Sequence, residues 1–102
     1  MIRISITHSG DSAEITARGH AGYHPGNDIV CASASTLLQA LGTYLAQNNI
    51  GLGEFRSGDI TVRSDNPAAL PYFRMTEHGL RALAKTFPQN VAVLDTAGKA
   101  QT

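Results

Sequence analysis

Little in this chain lends itself to covalent stapling. Among 102 residues there is one cysteine, Cys31, and no tryptophan. A lone thiol excludes an internal disulfide and suits a reducing compartment. Charge is sparse as well: 16% of residues, with eight Lys and Arg against eight Asp and Glu, so the formal net charge is zero. A protein that grips duplex nucleic acid normally carries a basic excess, so direct nucleic-acid binding is demoted. No run of about 18 apolar residues is read. Residues 1–10 alternate instead of setting a charged segment before a hydrophobic one. Neither a transmembrane span nor a secretory signal is therefore expected, and the expected localisation is cytoplasmic. What is present is globular: hydrophobic residues make up 42%. That suffices for one domain over residues 1–102 that folds without metal or cofactor.

Ile2, Ile4 and Ile6 alternate with Arg3, Ser5 and Thr7, the period of a half-buried strand. A turn at Ser9-Gly10-Asp11-Ser12 leads to a second alternating run over residues 14–18, which predicts a hairpin. Asp28 is an N-cap for a helix running to about Asn48 or Asn49. Its apolar arc is Val30, Ala34, Leu37, Leu38, Leu41, Tyr44 and Leu45. Residues 59–64 read as a third strand. Asn66-Pro67 then opens a second helix, with Phe73, Leu80, Leu83, Ala84 and Phe87 inward. Residues 91–95 read as a fourth strand and residues 96–102 as a frayed tail. The expected fold is α+β in two layers: a four-stranded mixed sheet with both helices on one face, in the order ββαβαβ. Arg3, Thr7, Thr16, Arg18 and Arg63 belong to the other, polar face.

The chemically dense stretch is residues 19–35. His20 ends the second strand and Cys31 sits in the first turn of the helix, joined by a loop with three glycines. A helix N-terminus carries partial positive charge that favours a thiolate, and a nearby imidazole can take the proton. On a helical wheel Cys31 falls just past the edge of the apolar arc, which favours a partly exposed thiol. The bland reading is a small buried hydrophobe. Asp28 is most economically a cap and Ser35 a surface hydroxyl, while His8 and His78 read as surface histidines. His20, His24, Asp28 and Cys31 are legitimate zinc ligands, but their spacing matches no common finger pattern, so no metal is expected.

The segments Gly19-His20-Ala21-Gly22-Tyr23 and Gly26-Asn27-Asp28-Ile29-Val30-Cys31-Ala32-Ser33-Ala34-Ser35 resemble the ribosomal-processing cysteine protease (Prp) family of bacteria. The similarity extends more loosely over about residues 1–95. It departs at Phe87, where tyrosine is common, and over residues 50–58, which are short and glycine-rich. The resemblance implies a homodimeric protease with a dyad of Cys31 and His20. Asp28, Ser35, Gly19, Gly22 and Gly26 are implied as supporting or substrate-binding positions. The implied partner is large-subunit ribosomal protein twenty-seven, from which the family removes an N-terminal extension before ribosome assembly.

The chemistry expected is acyl transfer. Cys31 attacks, His20 protonates the leaving amine, and backbone N–H groups at the helix start or in the glycine loop hold the oxyanion. Residues 21–27 are expected to act as a lid over an extended, apolar peptide. Two rivals stand beside this reading. One is a non-enzymatic ribosome- or RNA-associated module using Arg3, Arg18 and Arg63. The other is a thiol redox sensor that pairs Cys31 between two copies.

Overall fold

Alternating isoleucines make the first structural unit. β1 (Ile2–Ser9) and β2 (Ser12–Arg18) pair antiparallel, with Ile4 opposite Ala17 and Ile6 opposite Ile15. Ile2, Ile4, Ile6, Ala13, Ile15 and Ala17 are all buried on one face. The computed structural model describes residues 1–22 and 28–96. α1 (Ile29–Gln47) follows, then β3 (Leu52–Arg56), β4 (Asp59–Ser64), a 3-10 turn (Pro67–Ala69), α2 (Leu70–Thr86) and β5 (Val91–Asp95). The sheet order is β3-β4-β2-β1-β5, antiparallel throughout except for the parallel pair β1–β5.

The sheet therefore has five strands, not four, and the order is ββαββαβ. The added strand, β3, is an edge strand whose pairing comes from β4 alone, across the Ser57-Gly58 turn. Its alternation is too weak to read: of Leu52, Gly53, Glu54, Phe55 and Arg56, all but Gly53 are exposed. A strand with one neighbour and a glycine at its inward position leaves no hydrophobic period in the sequence.

Both helices cover the face of the sheet that bears the isoleucines; α1 lies over β3 and β4 and packs on α2, which reaches β5. α1 has no Asp, Glu, Lys or Arg, and by length and composition it would suffice to cross a bilayer. The expectation that no segment is so apolar is corrected to that extent. Here it is the central helix of the core, burying Val30, Ala34, Leu38, Leu41, Gly42 and Leu45. Tyr44, expected inward, is 43% exposed and meets Tyr72 in a tilted contact, with ring centroids 4.8 Å apart and planes at 55°. The Tyr44 hydroxyl donates to that of Tyr72 at 3.3 Å. That bond, with the neighbouring phenol's charge, raises the Tyr44 pKa above its ordinary value of 10.0.

α2 begins later than its asparagine cap, because Asn66 caps the 3-10 turn at Ala68 N–H. The helix buries Phe73, Thr76, Glu77 and Leu80, while Leu83, Ala84 and Phe87 are half-buried. Glu77 accepts from His8 Nε2 at 2.7 Å, so His8 is a partnered histidine and not a free surface one. Thr96, expected to fray, donates its N–H to Ile6 C=O at 2.8 Å; the rest of the expected tail lies outside the described residues.

The open face carries Arg3, Arg18, Arg56 and Arg63, interleaved with Glu14, Glu54 and Asp59. The register sets Arg18 beside Asp59 and Arg63 beside Glu14, and Arg18 Nε lies 3.4 Å from an Asp59 oxygen. Alternating signs give this face no continuous basic stripe of the kind that tracks a phosphate backbone.

Candidate active site

The chain leaves β2 through Gly19, where side chains are excluded twice. Its φ is +93°, and a Cβ there would lie 2.5 Å from the Met1 carbonyl oxygen. The Gly19 N–H donates to Gly58 C=O at 2.9 Å, which fastens the end of β2 to the β3–β4 turn. His20 is thereby set over that turn: a Cβ on Gly58 would lie 3.0 Å from His20 Nε2. Gly58 has φ +71°, so glycine serves there both the turn and the imidazole.

Ala21, next in the chain, is 3% exposed. Its N–H donates to Cys31 Sγ at 3.1 Å, and its C=O accepts from Asn90 Nδ2 at 3.1 Å. Ala21 is thus anchored and does not belong to a lid. Gly22, at φ +69°, is exposed with open space at its Cβ position. Gly26 and His24, and with them the remainder of the expected lid, lie outside the described residues.

Cys31 is half-buried in the first turn of α1 and packs against the core. Asp28 caps that helix: one carboxylate oxygen accepts from both Val30 N–H and Cys31 N–H at 2.9 Å. Its carbonyl accepts from Ala32 N–H at 3.1 Å. The Val30, Cys31 and Ala32 amides at the helix start are therefore engaged by Asp28. Among the described residues, the backbone N–H that reaches the sulfur is that of Ala21.

His20, Cys31, Ser35 and Gly19 line one cavity of about 390 Å³ between α1 and the β3–β4 hairpin. Ala17, Ala34, Leu38 and Ile60 give it an apolar floor, and Phe55, Arg56, Ser57 and Asp59 form the opposite wall. Among the described residues no hydrogen bond joins His20 to Cys31; in a substrate-free site such bonds are commonly long and tighten on binding. No three His, Cys, Asp or Glu side chains group closely enough to hold a metal among the described residues.

Sequence reasoning missed three contributors. Gly58 was available from the Ser57-Gly58-Asp59 turn signal. Phe55 lies on the strand that was not read. Its ring seats against two glycines: a Cβ on Gly42 would be 2.5 Å, and on Gly53 2.6 Å, from Phe55 Cζ. Asn90 was missed because nothing local announces its contact with Ala21.

A family model for cysteine protease Prp matches residues 1–92. A search of curated proteins finds no match. Among solved structures, the chain is similar to the essential ribosomal processing protease Prp of Staphylococcus aureus in complex with a covalently linked product peptide. The identity is 22% and the TM-score 0.80, over 93% of this chain and 99% of that one. The same protease with a substrate peptide gives 21% and 0.76 over the same shares. A protein from Streptococcus mutans gives 23% and 0.71, over 93% of each chain. At such identities the structural likeness speaks for the fold, and the sequence match carries the family. With residues 1–92 matched, the chain belongs to the cysteine protease Prp family.

Proposed function

We propose that this protein is an endopeptidase that removes an N-terminal extension from large-subunit ribosomal protein twenty-seven, using Cys31 as nucleophile and His20 as its acid–base partner. The observation that carries the reading is that both side chains line one cavity, at the motif that resembles the family. Solved relatives are described as ribosomal processing proteases bound to substrate and product peptides, which supports the substrate class.

His20 takes the Cys31 proton, and the thiolate adds to the scissile carbonyl. The tetrahedral oxyanion collapses as His20 returns the proton to the leaving amine. Water, deprotonated by His20, then hydrolyses the thioester and frees Cys31. The cleft has the shape for this: its floor is apolar, and its wall is an edge strand along which an extended peptide can lie. Gly19, Gly22, Gly26 and Ser35 are proposed as substrate-side positions, Asp28 as the residue that fixes the helix start, and a homodimer in the cytoplasm as the working form.

The test is cleavage of the host's ribosomal protein twenty-seven, followed by mass. Wild type should release one defined N-terminal peptide, while Cys31→Ala and His20→Ala should leave the substrate whole. An extended substrate left intact by reduced, unmodified wild-type protein would remove this substrate from the reading.

A further inference from the structure

We infer that Asn90 is a positioning residue for catalysis, acting through the backbone of Ala21, whose N–H is an oxyanion donor. The inference rests on Cys31 being the nucleophile and adds where the negative charge is held and what holds the donor.

Three observations converge. Asp28 engages the N–H groups of Val30, Cys31 and Ala32, so the helix start has spent the amides nearest the thiol. Ala21 N–H instead points at Sγ from the opposite strand end, at 3.1 Å. Asn90 reaches across from the start of β5 to hold the Ala21 carbonyl at 3.1 Å, 69 residues away in the sequence. Asn90 is itself fixed on both sides of its backbone. Its N–H donates to Phe87 C=O at 3.0 Å, and its C=O accepts from Ile2 N–H at 2.9 Å. A rigid anchor thus holds Ala21, and Ala21 presents its donor to the sulfur.

In the addition step the Sγ–carbon bond forms and the carbonyl π pair moves onto oxygen. That oxygen is bonded to the carbon that Sγ has just attacked, so it comes within reach of a donor already aimed at Sγ. When the intermediate collapses, the C=O bond re-forms and the C–N bond breaks, with the amine taking its proton from His20. A donor fixed in advance stabilises the intermediate without reorganising at the moment of reaction. Direct loss of such a donor costs about 10²–10³ in kcat, so loosening it should cost roughly tenfold or more.

Two probes separate this role from a structural one. A peptide aldehyde carrying the residues before the mapped bond adds Cys31 across its C=O and places an oxygen in the donor's position. Iodoacetamide alkylates the same sulfur and creates no such oxygen. Asn90→Ala should lower kcat roughly tenfold or more with KM nearly unchanged, and should weaken the aldehyde by a similar factor. Its iodoacetamide rate, taken at a pH high enough that alkylation no longer rises, should stay within about threefold of wild type. Asn90→Asp, which keeps the shape and removes the donor, should behave alike and serves where Asn90→Ala does not fold. Wild-type kcat in a folded Asn90 variant would overturn the inference, as would aldehyde affinity and alkylation falling together. Neither result touches the protease reading, which stands or falls on wild type against Cys31→Ala.

Discussion

The two hairpins of this sheet are built to opposite specifications. β1–β2 lies in the interior of the sheet, and its inward Ile2, Ile4, Ile6, Ala13, Ile15 and Ala17 are all buried. β3–β4 lies at the edge, where β3 exposes Leu52 and Phe55 and ends in a glycine turn. The first holds the fold together; the second walls the cleft and carries the glycine under His20. A site built at an edge leaves a backbone free to meet a peptide while the central strands keep the geometry fixed.

The contrast is broken most severely from the core side. Ile15→Ala empties a fully buried position and should cost about 3 kcal/mol, seen as a large drop in Tm. The kcat of the fraction that remains folded should change little. On the edge side, Gly42→Ala drives a methyl into the tip of the exposed Phe55 ring and should cost about 1 kcal/mol, the helix gaining from alanine part of what the displaced ring loses. It should also lower kcat/KM by pushing the ring toward the cleft, and Phe55→Ala in the same chain should restore part of the stability. Additive effects in that double mutant, measured by denaturant unfolding, would show that the ring does not rest on Gly42.

A matched pair sharpens the comparison. Gly10 and Gly58 both have positive φ, at +60° and +71°, but a Cβ on Gly10 meets open space whereas one on Gly58 meets His20. Alanine at either should cost about 1 kcal/mol of stability, and only Gly58→Ala should lower kcat/KM. The smallest effect belongs to the tyrosine pair, outside both hairpins. A raised Tyr44 pKa means that its contribution is complete below the ordinary value and is lost as pH rises through the folded one. Tyr72→Phe should bring the Tyr44 phenolate titration, followed by ultraviolet absorbance, down toward 10.0 and leave cleavage unchanged.

What was legible in the sequence follows the same division. Ile2, Ile4 and Ile6 declare β1 because burial on one face imposes a period of two. Asp28 declares the start of α1 because an orphan amide needs an acceptor. The proposed dyad of Cys31 and His20 was legible as a motif flanking a glycine loop. β3 was not, because an exposed edge imposes no period. Tyr44 was misplaced because the wheel knows nothing of a tyrosine on the neighbouring helix. Asn90 and Gly58 matter only through tertiary contacts, with Ala21 and His20 respectively.

The cavity has no floor of its own. Ala17, Ala34, Leu38 and Ile60 belong to the buried core and also form the bottom of the cleft. For a substrate bound in the proposed cleft, peptide preference and thermal stability are therefore one trait read in two assays. A library varied at those four positions and sorted for heat resistance alone would, without being asked, also sort for the peptides it cuts.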